Sequence, residues 1–425
     1  MAATHDSRLQ PSGDTNMGHV QFRLAGRRSA RRTVRVAAAV LSGLLTLVVA
    51  EVGLRILWPG DNRYHLWLPN SSTTIRLAPG VVHGVGLESH IQVNSQGIRG
   101  PEWSPQRHRE YRILAIGGST TESLYVDQPK TWPVLLQTLL NKTVDGRTVW
   151  VGNLGRAGFN TRDHLGLMRF AIGQWDVDAL VMLIGGNDMI HRLMQGESYN
   201  PRFTDNDREY RSWLKRRFAI IPLAAQIDEE RWFFKRTALW MLARQLRARL
   251  RRTRRDRGEN APTRIVRDGQ GLWLHEVRKT RAEASRVETL PPLDSGLDEY
   301  ERNVQEIASL AHARSLRLVI VTQPSLWRAT MPESEQALLW WGWRPDGRFY
   351  TTGALASAMD AYNRRLLEVC VTATIECIDL AGLIPRSPLY FMDEVHFTEA
   401  GSARVAAELA DQLRRRPPFA IRASP

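Results

Sequence analysis

Apolar runs recur along the chain with amphipathic segments between them: Arg112 to Ile116, Thr148 to Asn153, Ala179 to Ile184, Arg317 to Thr322 and Thr374 to Leu380. The intervening stretches, roughly 130 to 142, 162 to 175, 296 to 314, 355 to 370 and 398 to 415, read as helices. The last of them, "TEAGSARVAAELADQLRRR", has apolar residues at helical spacing and ends in a basic turn that complements the helix dipole. Five strands alternating with helices predict an α/β domain with a parallel sheet covered on both faces, carried by residues 111–191 and 296–417.

The alternation fails between 192 and 295, where no strand signal is visible. That stretch is too long for an ordinary loop and predicts a helical, arginine-rich insertion. Within it, "DEERWFFKRTALWMLARQLRARLRR" puts Trp232, Leu239, Trp240, Ala243, Leu246 and Leu250 near one helical stripe. Two readings stand for the stripe: an interfacial helix on anionic lipid headgroups, or a helix packed on the main domain with a solvated basic tail. Part of 251–281 reads as disordered. Residues 61–110, with short β-like runs such as "IQVNSQGIRGPEW", predict a small β-rich lead-in, and 418–425 a tail.

Charge sharpens this picture. The 425 residues carry a formal net charge of +14, which points to an anionic partner or surface. Half of it is local: Arg244, Arg247, Arg249, Arg251, Arg252, Arg254, Arg255 and Arg257 face the single Asp256. Residues 1–33 are polar and read as a disordered basic tail. Arg27, Arg28, Arg31, Arg32 and Arg35 then precede an uncharged run from Val36 to Ala50, and the helical pattern continues to Trp58. Residues 34–58 are long enough to cross a bilayer, with Glu51 and Arg55 near the far interface and Pro59 ending the helix. Basic residues favour the cytoplasmic side, so the expected topology is tail inside, remainder outside; a cleaved signal peptide is the competing reading. An outward-facing domain makes nucleic acid an unsuitable partner.

Candidate chemistry collects where an open parallel sheet binds ligands, beyond the carboxyl ends of its strands. Ser119, in "LAIGGSTTESLYV", follows the first strand; "NLGRAGFNT" follows the second, "GGND" the third and "MDEVHFTEAG" the fifth. Each alone has a plain structural explanation: a serine caps helices, a glycine-rich stretch turns, and D-x-x-H recurs by chance. In order, after strands, the four blocks resemble those of SGNH/GDSL-type hydrolases. That resemblance implies a three-layer α/β/α sandwich of flavodoxin-like character. It implies Ser119 as nucleophile, with Ser119, Gly158 and Asn187 forming the oxyanion hole, and Asp393 and His396 completing the catalytic triad. Gly155 competes with Gly158 for its role. Gly118 departs from the family pattern, since an aspartate ordinarily stands there, so the hydrogen bonding of the turn must differ.

Other residues add detail. Asp188 either orients the oxyanion region or caps a helix. Trp341 and Trp343, in "WWGWRPDG", are candidates for a wall on which a sugar ring stacks, or for packing beneath a loop. Cys370 and Cys377, the two cysteines, lie in no metal-ligand pattern and are free to pair only outside a reducing cytosol. No metal and no cofactor is expected. The resulting expectation is a membrane-anchored esterase acting on an O-acylated envelope glycan or a lipid. Acyl transfer by the same site is one alternative, and a non-catalytic binder of anionic lipid or nucleic acid on this scaffold is another.

Overall fold

A computed structural model of the chain describes residues 18–57, 63–221, 237–240, 242, 243, 247 and 264–420. The chain divides into two compact units, 1–62 with 223–258 and 63–222 with 259–425. In the smaller unit, helix α1 (Gly18–Leu57) contains a 26-residue stretch, Arg32–Leu57, of mean hydropathy 2.1, long and apolar enough to cross a membrane. Near its end Glu51 pairs with Arg55 at 2.8 Å. The same carboxylate accepts the backbone N–H groups of Ala238 and Leu239, at 2.8 and 3.1 Å. Of the stripe read from 232 to 250, Leu239, Trp240 and Ala243 are described; of the eight clustered arginines, only Arg247 is.

Among the described residues the larger unit holds ten strands: β1 (Ser72–Leu77), β2 (Glu88–Gln92), β3 (Glu110–Gly117), β4 (Thr148–Asn153), β5 (Ala179–Leu183), β6 (Arg264–Gln270), β7 (Arg286–Val287), β8 (Arg317–Val321), β9 (Phe349–Tyr350) and β10 (Glu376–Ile378). Five of them form one all-parallel sheet in the order β10-β8-β5-β3-β4. β3 is buried along its whole length, as a central strand covered on both faces must be. The chain moves from β3 outward to β4 and then returns to the other side at β5. The winding reverses there, and a crevice opens at the carboxyl ends of β3 and β5.

Helices cover both faces. Trp132–Leu140 (α2) packs with the last helix; Thr161–Phe170 (α3), Gly186–Gln195 (α4), Asp207–Lys215 (α5) and Trp273–Glu283 (α6) follow. Asp294–His312 (α7), Thr352–Thr372 (α8) and Glu399–Arg414 (α9) complete the set. One layer is α2 with α9; the other is α3, α4, α7 and α8, each packed on at least one of its fellows. Between the layers Ile113, Leu114, Ile116, Leu180, Met182, Val319 and Ile320 are at most 1% exposed. Burying each such side chain is worth about 1.5–3 kcal/mol. The fold is therefore a three-layer sandwich on a five-stranded parallel sheet. Its last strand is shorter than the apolar run around it, because Thr374 takes a left-handed conformation (φ +53°) after α8 and Asp379 turns the chain by accepting Gly382 N–H. Cys370 at the end of α8 is bonded to Cys377 in β10.

Two departures from the sequence reading concern 192–295. It is not only helical: β6 runs parallel to β1, which pairs antiparallel with β2, in a second, three-stranded sheet. β6 reads "RIVRDGQ", with Ile265 and Val266 as its only apolar residues and Val266 42% exposed. An edge strand that buries so little carries no alternation to detect, and its order comes from β1's backbone. Likewise, within 251–281, residues 264–281 form β6 and most of α6, while 251–263 lie outside the described residues.

Candidate active site

β3 ends at Gly117, and the next residues make one helical turn, Ser119–Glu122, closed by Ser123 at φ +50°. Both glycines are required by close approach. A Cβ at Gly117 would lie 2.3 Å from Thr121 Oγ1 and 2.7 Å from Leu183 O. A Cβ at Gly118 would lie 2.3 Å from Asn187 Nδ2. At 118 the Asn187 amide packs directly against the glycine, in the space a side chain would enter. From below, the buried Arg99 donates to the Glu122, Ser123 and Val126 carbonyls, and Trp132 Nε1 donates to Thr120 O at 3.2 Å. Burial pulls the Arg99 pKa down to about 10, so it keeps its charge at neutral pH.

Ser119 Oγ stands 2.8 Å from His396 Nε2, and His396 Nδ1 stands 2.7 Å from Asp393 Oδ2. Asp393 is 5% exposed and well supplied with donors. Its Oδ1 accepts the N–H groups of Val395 and His396, at 3.0 and 2.9 Å, and Oδ2 accepts Trp340 Nε1 at 3.0 Å. Burial pushes the Asp393 pKa up, but the His396 charge and these hydrogen bonds outweigh it and leave it below the usual value. For His396 the balance is reversed in sign: burial lowers its pKa, and the neighbouring Asp393 charge raises it further, above the usual histidine value. An imidazole hydrogen-bonded to a hydroxyl on one side and a carboxylate on the other can take the hydroxyl proton and return it.

The donors come from the next two strand ends. Gly158 lies in the turn after β4 at φ +72°, where only glycine sits without strain. Gly155 is buried, and its N–H already donates to Asn153 Oδ1 at 2.8 Å, so it is not available to a substrate. Asn187 begins α4; its Nδ2 donates one hydrogen to Phe159 O at 2.8 Å and carries a second. Asp188 neither caps its own helix nor reaches the cleft. It accepts both N–H and Oγ1–H of Thr161, at 3.0 and 2.5 Å, and so ties the start of α4 to the start of α3. Burial raises its pKa to about 6.

A cleft of about 320 Å³, including the part open to solvent, lies against Ser119 and Asn187 and is lined by Phe159, Ile184, Ile190 and Val395 among others. Ser119, Gly158, Asn187, Asp393 and His396 thus belong to one rim of the sheet. The two tryptophans singled out in the sequence do not behave alike. Trp341 is 7% exposed and packed against Trp327, so it is core and no wall; Trp343 is 42% exposed. The missed one is Trp340, which contacts the Asp393 carboxylate directly. Glu394 fixes this loop by accepting the N–H groups of Trp340 and Trp341, at 3.1 and 2.8 Å, and burial raises its pKa to about 7. Trp273 of α6, 44% exposed, meets Trp340 edge-on at 4.9 Å. Among the described residues no cluster of His, Cys, Asp and Glu could hold a metal ion.

A family model described as GDSL-like lipase/acylhydrolase matches residues 115–404, more than half of the chain. The search of curated proteins found no match. Among solved structures the chain is similar to an acetylxylan esterase from Geobacillus stearothermophilus: 12% identity over 71% of this chain and 93% of that one, TM-score 0.36. A putative lipolytic protein of the G-D-S-L family from Desulfitobacterium hafniense shares 8% identity over 71% and 99%, TM-score 0.36. An α/β hydrolase from the metagenome of Lake Arreo, Spain, shares 15% over 71% and 94%, TM-score 0.36.

Proposed function

The chain belongs to the GDSL-like lipase/acylhydrolase family and is an ester-hydrolysing enzyme, and from that premise we propose that it works through an acyl-enzyme on Ser119. The observation that carries this reading is the unbroken chain from Ser119 Oγ through His396 to Asp393, at 2.8 and 2.7 Å. His396 Nε2 takes the serine proton as Oγ attacks the ester carbonyl carbon. The negative oxygen that forms is met by the N–H groups of Ser119 and Gly158 and by the second hydrogen of Asn187 Nδ2. When the intermediate collapses, the C–O bond to the alcohol breaks and His396 returns the proton to the leaving oxygen. Water then repeats the sequence on the acyl carbon, with His396 as base, and frees the acid and Ser119. Asp393 holds the imidazole tautomer and stabilises its charged form.

The substrate is an ester of a short acid and a sugar-like alcohol. The cleft is small, about 320 Å³ with its open part, and is closed in by Phe159, Ile184, Ile190 and Val395, which suits an acetyl group better than a long alkyl chain. The alcohol must leave on the side from which His396 protonates it. For the sugar we propose the exposed indole of Trp273, which meets Trp340 where that residue touches Asp393, as a flat apolar surface suited to a pyranose face. We read the apolar N-terminal helix as an uncleaved anchor, with its flanking arginines inside and the enzyme outside the cytoplasm. The Cys370–Cys377 bond fits that oxidising side.

The test is a panel of chromogenic and acetylated-sugar esters, run on the full chain and on intact cells with a membrane-impermeant ester. Acetyl esters should exceed long-chain esters at least tenfold in kcat/KM, intact cells should turn over the impermeant ester, and Ser119→Ala should abolish turnover. Turnover retained by Ser119→Ala removes the mechanism. Activity that appears only after lysis removes the topology.

A further inference from the structure

A glycine is the hardest residue to hold still, and the proposed oxyanion donor at 158 is one. A Cβ built on Gly158 would meet nothing closer than the Arg217 guanidinium, at 3.8 Å, so packing does not fix this residue. Hydrogen bonds on either side do. Upstream, Ala157 N–H donates to Glu122 Oε2 at 2.8 Å. Downstream, Arg217 Nη2 donates to the Gly158 carbonyl at 2.6 Å. The same guanidinium grips Asp163 through Nε and Nη2, at 2.6 and 2.9 Å, and lies 4.7 Å over the Phe159 ring that lines the cleft. Asp163 in turn accepts Asn160 N–H at 3.0 Å, closing the cap of α3. One side chain therefore ties the carbonyl of residue 158, the ring of 159 and, through Asp163, the amide of 160.

Arg217 is itself well anchored. Its N–H donates to Leu214 O at the end of α5, and the following residues are pinned to the chain just after the first unit. Phe218 meets the Tyr64 ring at 5.1 Å, and Ile220 bridges His65. The clamp is thus supplied by the stretch between β5 and β8, outside the four sequence blocks.

We propose that Arg217 is a positioning residue that fixes the backbone just after Gly158 and so holds the loop that carries the Gly158 N–H in place as an oxyanion donor; this rests on the assignment of that role to Gly158 above. Arg217 uses its own donors on the carbonyl and the carboxylate, so it acts without touching substrate. Without it the Gly158 carbonyl loses its side-chain donor, Asp163 and the Phe159 ring lose the guanidinium, and the peptide after Gly158 keeps only the Phe159 N–H bond to Arg156 O. The loop can then shift and carry the Gly158 N–H away from the place where negative charge develops. The loss falls on the transition state far more than on the bound ester.

Steady-state kinetics of the full chain on an acetyl ester test this. Arg217→Ala should lower kcat by about 10²-fold with KM within about twofold, the scale of a small misplacement at a reacting centre. Arg217→Lys, which keeps the charge and loses the fork, should recover part of the rate, and added methylguanidinium should restore the alanine variant in a saturable way. Arg211→Ala is the control, since Arg211 pairs with the surface Asp207 on the preceding helix, and it should keep the wild-type rate. An unchanged kcat in Arg217→Ala overturns the proposal, as does a loss that tracks the unfolded fraction and yields to neither lysine nor methylguanidinium. Should Arg217→Ala fail to fold, Arg217→Lys decides: a kcat at least fivefold down at unchanged KM supports the role, and a wild-type kcat overturns it. Absence of turnover in the wild type would instead remove the parent assignment.

Discussion

The two halves of the proposed catalytic site, its acid–base pair and its oxyanion donors, are built on opposite plans. The acid–base half is nearly self-contained: Asp393 accepts the N–H groups of Val395 and His396 and receives the His396 ring, all within four consecutive residues. Among the described residues, Trp340 is the one that reaches this carboxylate from elsewhere. The donor half is assembled from the ends of β3, β4 and β5, and its supports are remote. Arg99 comes from the lead-in, Glu122 from the nucleophile turn and Arg217 from beyond α5. A compact unit keeps its geometry when distant parts change, whereas an assembled one is only as accurate as its outlying ties.

That contrast can be broken from its strongest point. Asp393→Asn should cost about 10⁴ in kcat, because the amide stabilises the wrong imidazole tautomer while leaving the packing intact. It should also move the pH profile. Asp393 raises the His396 pKa, so wild-type kcat/KM, which needs the neutral imidazole, falls as pH drops through a value above the usual histidine one. Removing the carboxylate charge should shift that acid limb downward, and an unmoved limb would contradict the assignment.

The assembled half should fail by a smaller step. Asn187→Ala removes one proposed donor and the brace on Phe159 O together, and should cost roughly 10² to 10³ in kcat with little change in KM. A loss under threefold would count against the role. The smallest effect belongs to the one outside tie of the compact half. Trp340→Phe keeps the ring contact with Trp273 and removes a hydrogen bond to a buried carboxylate, so a loss of about tenfold in kcat, on the order of 1.5 kcal/mol, is expected. A loss as large as that of Asp393→Asn would mean that the dyad is not self-contained after all.

The same contrast explains what could be read from the sequence. β3, β4, β5 and β8 of the main sheet were legible because they are buried on nearly every residue, which forces a run of apolar side chains; the edge strand β10 is only partly buried and was marked by the apolar run around it. Asp393 and His396 sit three positions apart, and Ser119, Gly158 and Asn187 each follow a strand, so order and context marked them. Arg217 has no such mark: it is one arginine in a basic stretch, and its value lies in a contact across 59 positions. The choice of Trp341 over Trp340 failed for a related reason. In an irregular loop neither period 2 nor period 3.6 assigns faces; the Glu394 carboxylate, by holding both backbone N–H groups, decides which indole turns to the triad and which to the core.

The pairing of β6 with β1 has one more consequence. The chain bridges Ile220 to His65 before its long excursion and resumes with Arg264 beside Ser72. The two attachment points are seven residues apart along one segment, a contour of at most about 25 Å. The ends of the detour are therefore stapled near one another, and the sandwich is topologically indifferent to how much polypeptide is strung between them. Sequence can be lengthened, shortened or exchanged in that gap with little entropic penalty to the hydrolase, since closing a loop costs only slowly more as it grows.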